Sequence, residues 1–202
     1  MIDKEIIIHD ISTRQTAQAL HIEHDASIFF YGSQAQTDIT IDVGGGVSAD
    51  IVCIVYGNNT NTHCTLTIRL CEDKASAKVY ILTLAGDYSD NNVEWTIYIG
   101  PKTKWCSGHL LQENLLLGKQ LTLKSKPQLD VHSHDVSASH GARFESFDAN
   151  KIFYMTAKWL APKDAKQLLV EWYVTAALDT IPLSDEQRLE IKDTILGTAL
   201  AI

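Results

Sequence analysis

Between residues 27 and 100, six segments dominate the chain: SIFFYG (27–32), TDITIDV (37–43), DIVCIVYG (50–57), HCTLTIRLC (63–71), AKVYILTLAG (77–86) and NVEWTIYIG (92–100). Most alternate apolar and polar residues with a period of two. They are rich in β-branched and aromatic residues and bounded by Gly, Asn or Asp. These are strand signatures, because successive side chains of a strand point to opposite faces. Apolar runs begin at Ile51, Cys64, Val79 and Val93, 13 to 15 residues apart, with no helical periodicity between them. Strands spaced so regularly restrict the fold to a sandwich, a barrel or a β-solenoid. The repeat has no strict consensus, so spacing alone leaves sandwich and solenoid open.

Near residue 148 the period changes from two to about 3.6. Asp148 can cap a short helix through ANKIFYMTAKWL, with Ile152, Phe153, Trp159 and Leu160 as packing candidates. Pro162 suits the first turn of a second helix, where its missing N–H costs nothing. That helix carries Ala165, Leu168, Leu169, Trp172, Tyr173 and Ala176 as an amphipathic stripe. A third starts at Ser184, with Gln187 completing a capping box. Ile191 and Ile195 lie on one face of it, flanked by Arg188 and Ala199, and Leu189 and Leu196 widen the apolar surface. The expected organisation is a β core over residues 1–148 and a helical domain over 149–202. Its helices can cap the core, dock a partner, or do both.

A length of 202 residues suits one domain, or one domain with a helical appendage. The formal net charge of -8, with no basic run, opposes binding to nucleic acid or to an anionic membrane. MIDKEIIIHD does not read as a secretory signal, and no apolar run approaches the roughly 18 residues of a membrane span. The four cysteines, Cys53, Cys64, Cys71 and Cys106, form no CxxC pair. The strand contexts of the first three suggest buried or half-buried thiols in a reducing, cytoplasmic compartment.

Chemical motifs are few. GGG at 44–46 precedes no helical pattern. LLLGKQ (115–120) has Gln120 where a phosphate loop needs a hydroxyl. Both read as turns. No GxSxG elbow is present. The densest stretch is HSHDVSASHGARFESFD (132–148). If residues 128–134 form one strand, Asp130, His132 and His134 share a face. Two histidines at i and i+2 can chelate zinc or a similar ion, with Asp130 or His140 as a third ligand. A solvated outer face is the alternative. His140 sits in SASHGA beside Gly141, which permits a tight turn.

Residues 107–175 resemble the C-terminal core of the SufB/SufD proteins, scaffold subunits of the SUF iron–sulfur cluster assembly machinery. The resemblance rests on NLLLGK (114–119), KPQL (126–129), Asp135–Val136 with Ser139 to Ala142, IFY (152–154), and Ala165 with Leu168 to Val170. It implies a mainly β fold: a right-handed parallel β-helix, or β-solenoid, followed by a small C-terminal α-helical domain. It also implies a scaffold without catalytic residues, dimerising through the β-helix with a SufB-like chain or a second copy. A transient iron–sulfur cluster at that dimer interface is the implied cargo, with no stably bound cofactor.

The family's terminal helices bind an ABC-type ATPase, SufC. On this chain the docking residues are then Pro162, Asp164, Leu168, Trp172 and Tyr173. The histidine of the SHGA element, here His140, is implicated in cluster assembly in SufD-type chains. Ser139, Gly141 and Glu113 join it as interface candidates. The sequence departs from the family at LLQENLLLG, which has no cysteine where SufB-type chains carry one. The family's N-terminal domain has no counterpart, which argues against flavin. His132 and His134 match no family role; with Asp130 and His140 they leave a metal-binding protein or metalloenzyme as the rival reading.

Overall fold

The computed structural model describes residues 4–12, 17–33, 36–146, 149–157 and 160–200. These form eleven strands followed by three helices. The strands are β1 (Glu5–Asp10), β2 (Gln18–Ile22), β3 (Ala26–Ser33), β4 (Gln36–Val43), β5 (Ser48–Gly57), β6 (Asn61–Leu70), β7 (Ser76–Ala85), β8 (Asp90–Ile99), β9 (Ser107–Leu116), β10 (Thr122–Val131) and β11 (Ser137–Ser146). The helices are α1 (Ala149–Thr156), α2 (Pro162–Leu178) and α3 (Asp185–Ala199). Asp148 and Trp159 lie outside the described residues.

Odd-numbered strands form one sheet, in the order β1-β3-β5-β7-β9-β11, and even-numbered strands form the other, β10-β8-β6-β4-β2. Every pairing in them is parallel. Each coil lays one strand in each sheet, so the fold is a parallel β-solenoid, not a sandwich. Ser48 pairs with Ser76, Ser76 with Ser107 and Ser107 with Ser137, so successive coils take 28, 31 and 30 residues. The spacing read in the sequence is half a coil.

The interior is a continuous apolar column that includes Ile28, Phe30, Ile41, Ile51, Leu66, Ile68, Ile81 and Trp95, all fully enclosed. The even-numbered sheet alternates cleanly: in β6 every second residue is buried. The odd-numbered sheet does not, and the last seven residues of β5 are all buried. Its outer face is covered by α2 and α3. There Val52, Ile54, Tyr56, Leu82 and Leu84 meet Val170, Val174, Ala177, Leu178, Ile191 and Ile195. A sheet buried on both faces loses its alternation for this reason.

Stacked turns explain why the repeat carries no glycine consensus. Gly46, Lys74 and Trp105 have left-handed φ values of 71°, 62° and 58°. Their N–H groups donate to the next coil: Gly46 to the Asp73 carbonyl (3.0 Å), Lys74 to Lys104 (2.9 Å) and Trp105 to Asp135 (2.6 Å). These bonds hold lysine and tryptophan where glycine is the usual occupant. At the other side of the coil, the Asp87 carboxylate accepts from the N–H groups of Lys119 (2.6 Å) and Gln120 (2.9 Å). These bonds depress the Asp87 pKa. GGG accordingly lies in a turn, and LLLGKQ is the end of β9 with the turn that follows it.

Several expected packing positions are corrected. Cys71 is exposed because β6 ends one residue earlier, at Leu70. Phe153 and Leu189 are exposed instead of packed. The buried face of α2 is Ala165, Val170, Tyr173, Val174, Ala177 and Leu178, leaving Leu168, Trp172 and Ala176 outside. Alanines and valines share this face with Tyr173 and Leu178, against a sheet surface that carries Tyr56, Leu82 and Leu84. Ser184 and Gln187 do form a capping box, and Ile191 and Ile195 are buried.

Candidate functional site

β11 is the last strand of its sheet, and β10 is the last of the other. The coil they share therefore has no neighbour beyond it among the described residues. Register decides which way its side chains face. His140 pairs with Leu110 and Ala138 with Gly108, and Leu110 belongs to the interior column. Ala138, His140, Ala142 and Phe144 thus continue the inward face into an open coil. From β10, Leu129 pairs with Ile97 and Val131 with Ile99, both interior residues. The result is a partly apolar mouth, with buried Gln112 and Asn114 beneath Ala142 and Phe144, in which Phe144 is 52% exposed. His140 stands in it, exposed and without a hydrogen bond among the described residues.

The other interface candidates face away. Ser139 pairs with His109 and Gly141 with Leu111, on the outer face. The Ser139 hydroxyl lies 2.7 Å from His109 Nδ1, and Ser107 Oγ lies 3.1 Å from Nε2. A methyl group at Gly141 would meet only Leu111, at an ordinary 3.7 Å, so nothing within this chain demands glycine there. Glu113 is 15% exposed on the same outer face, where it accepts from Tyr80 Oη (2.7 Å) and Arg143 Nη1 (2.9 Å). Burial, then the Glu113 hydrogen bond, raises the Tyr80 pKa.

The expected Asp-His-His face does not form. β10 ends at Val131, so alternation stops before His134, which lies in the following turn. Asp130 Oδ1 and His132 Nε2 pair at 2.8 Å, and the His132 ring lies 5.4 Å from that of Tyr98 on the outer surface. His140 is on the inward face of another strand. Among the described residues no three His, Cys, Asp or Glu side chains are placed to hold a metal ion.

β10 and β11 carry no cysteine. Cys53 and Cys64 are enclosed in the interior, where burial, then a hydrogen bond with Cys64, pushes the Cys53 thiol well up. Cys106 is also buried, its thiol directed at the Glu72 carbonyl (3.1 Å).

Pro162 opens α2, and Pro162, Asp164 and Leu168 are exposed, with Trp172 62% exposed. Asp164, Leu168 and Trp172 follow at four-residue intervals along one ridge. Phe153 and Tyr154 of α1 are exposed as well. Tyr173 departs from this set: it is 8% exposed, and its hydroxyl donates to Glu145 Oε2 of β11 (2.5 Å). A partner-facing role for its ring is corrected by that burial. Tyr80, Arg143 and Glu145 were not legible as one group. The available signal was the coil length, which sets Arg143 thirty residues after Glu113 and beside it.

Among the described residues no helix is long and apolar enough to cross a membrane. Residues 8–172 match the family model described as SUF system FeS cluster assembly, SufBD core domain. The chain is 38% identical over 79 residues to the iron–sulfur cluster assembly protein SufD of Escherichia coli (strain K12), covering 39% of this chain and 18% of that protein. An iron–sulfur cluster assembly SufBD family protein of Synechocystis sp. is 34% identical over 77 residues, covering 38% of this chain and 17% of its own length. A second SufBD family protein of that organism is 20% identical over 142 residues, or 70% of this chain and 30% of the relative. The aligned segments thus span less than a third of each relative. With a family model matched over most of its length, on a parallel β-solenoid, the chain belongs to the SufBD core family.

Proposed function

We propose that this chain acts in SUF iron–sulfur cluster assembly as a SufD-like scaffold subunit. The observation that carries the reading is His140, which among the described residues has no hydrogen bond and stands in an open mouth on the last coil. An uncovered strand edge and uncovered interior residues invite a second β-solenoid. That partner is a SufB-like chain or a second copy. A cluster also needs thiolates, and neither β10 nor β11 supplies one. This favours a cysteine-bearing partner. His140 then contributes an imidazole as a ligand or proton acceptor while a transient cluster is built at the joint.

The ridge of Pro162, Asp164, Leu168 and Trp172 docks an ABC-type ATPase resembling SufC. The chain itself is not an enzyme in this reading, and its setting is the cytoplasm. The test is anaerobic reconstitution with a cysteine-bearing SufB-like chain, with and without the ATPase, followed by iron and sulfide analysis. Cluster formation that needs this chain and is lost on His140→Ala supports the reading. Formation indifferent to the chain, or to that substitution in a folded complex, removes it.

A further inference from the structure

Three hydrogen bonds form one seam on the outer face of the odd-numbered sheet. Tyr80 of β7 donates to Glu113 of β9 (2.7 Å), Arg143 of β11 donates to the other oxygen of Glu113 (2.9 Å), and Tyr173 of α2 donates to Glu145 of β11 (2.5 Å). Leu82 and Leu115 line the same seam. It ties three neighbouring strands and one helix together.

The apolar layer under α2 and α3 has a different reach. It draws on Phe29 of β3, Val52, Ile54 and Tyr56 of β5, Leu82 and Leu84 of β7, and Leu115 of β9; among the described residues it contains none of β11. Apolar burial is non-directional and tolerates small shifts. A hydrogen bond weakens steeply with distance and angle. The helix therefore holds β11 by a contact that a slight rotation of α2 breaks, while its grip on β5 and β7 persists. The contact also lies next to the exposed ridge. The Trp172 ring meets the Tyr173 ring edge-on, with centroids 4.8 Å apart. A load on Trp172 is thus applied directly to Tyr173.

We propose that the Tyr173–Glu145 bond, steadied by Arg143–Glu113–Tyr80, is a latch through which a partner gripping α2 releases β11, the strand that carries His140. The partner's identity rests on the ATPase-docking reading above; the latch itself is a property of the lone chain.

Hydrogen exchange on the full chain tests it. Tyr173→Phe keeps the ring and removes the donor. The β11 amides should then exchange about ten-fold faster, as loss of a hydrogen bond to a charged group allows. β5 and β7 should keep their native rates. With Tyr173 intact, Glu145→Gln, which retains an acceptor, should keep the slow exchange that Glu145→Ala loses. Unchanged β11 exchange in Tyr173→Phe overturns the latch. Equal acceleration in β5 and β7 also overturns it, since the bond would then only stabilise the whole fold. In the second arm, the ATPase with ATP should speed β11 exchange in the native chain and add nothing in Tyr173→Phe. Binding without that acceleration overturns the relay. Failure of the ATPase to bind the folded chain overturns the docking reading, and the first arm still decides the latch.

Discussion

A methyl group added at Gly118 would sit 2.5 Å from the Asp87 backbone nitrogen, a distance that real side chains do not adopt. The opposing atom is main chain inside a stacked turn, so it cannot swing aside. Gly118→Ala should cost about 1–3 kcal/mol by chemical denaturation, the usual range for overpacking. His140 makes no such demand. Its exposure predicts a stability change within about 0.5 kcal/mol for His140→Ala, so any loss of cluster assembly would report on chemistry. Tyr173 adds a pH signature. Burial, then the hydrogen bond to Glu145, raises its pKa. The folded chain therefore keeps this proton while the unfolded chain releases it above about pH 10. Stability should fall as pH rises past that value, and fall less steeply in Tyr173→Phe, by denaturation at about pH 8 and above pH 10. Of these residues, His140 drew attention through its local SHGA context, but the tight turn expected beside it is the middle of β11. Tyr80 and Arg143 were not legible, because their partner lies a coil away and only strand register brings it near.

Among the elements, β4, β6 and β8 were readable because alternation and turn residues agreed over each segment, and β3, β5 and β7 because β-branched and aromatic runs ended at turn residues. The helices were readable in number, and α3 also in its buried Ile191–Ile195 face, but α2 was not readable in phase. Periodicity in α2 offers two overlapping apolar stripes, and helix geometry alone does not say which one meets a sheet. The face that packs carries Ala165, Val170, Val174 and Ala177 beside Tyr173 and Leu178, and leaves Leu168 and Trp172 outside. Two substitutions should separate the faces. Ala177→Leu, on the buried side, should destabilise by about 1–3 kcal/mol. Trp172→Ala, on the exposed ridge, should leave the unfolding midpoint nearly unchanged. It should weaken ATPase binding roughly ten-fold or more if the ridge carries an aromatic anchor. Titration calorimetry and a melting curve on each variant decide both.

For the whole molecule, the interior column couples every coil to the next, and Trp95 is the largest side chain enclosed in it. Trp95→Ala should cost about 3–5 kcal/mol. Trp95→Phe should cost much less, because the indole N–H has no partner among the described residues and its removal offsets part of the lost volume. Guanidinium midpoints of the two variants give the comparison. Spacing alone did not separate solenoid from sandwich, since strand pairing is not written in a period of two. The stacked register has a further consequence. Inserting or removing one whole coil leaves every inward column, turn and carboxylate cap aligned with its neighbours, whereas an odd change of length inside a strand puts side chains on the wrong face; the turns absorb the small differences between coils of 28, 31 and 30 residues. Chain length in such a fold is therefore quantised, in steps of about thirty residues here, with the coils beneath α2 and α3 as the part that cannot be discarded.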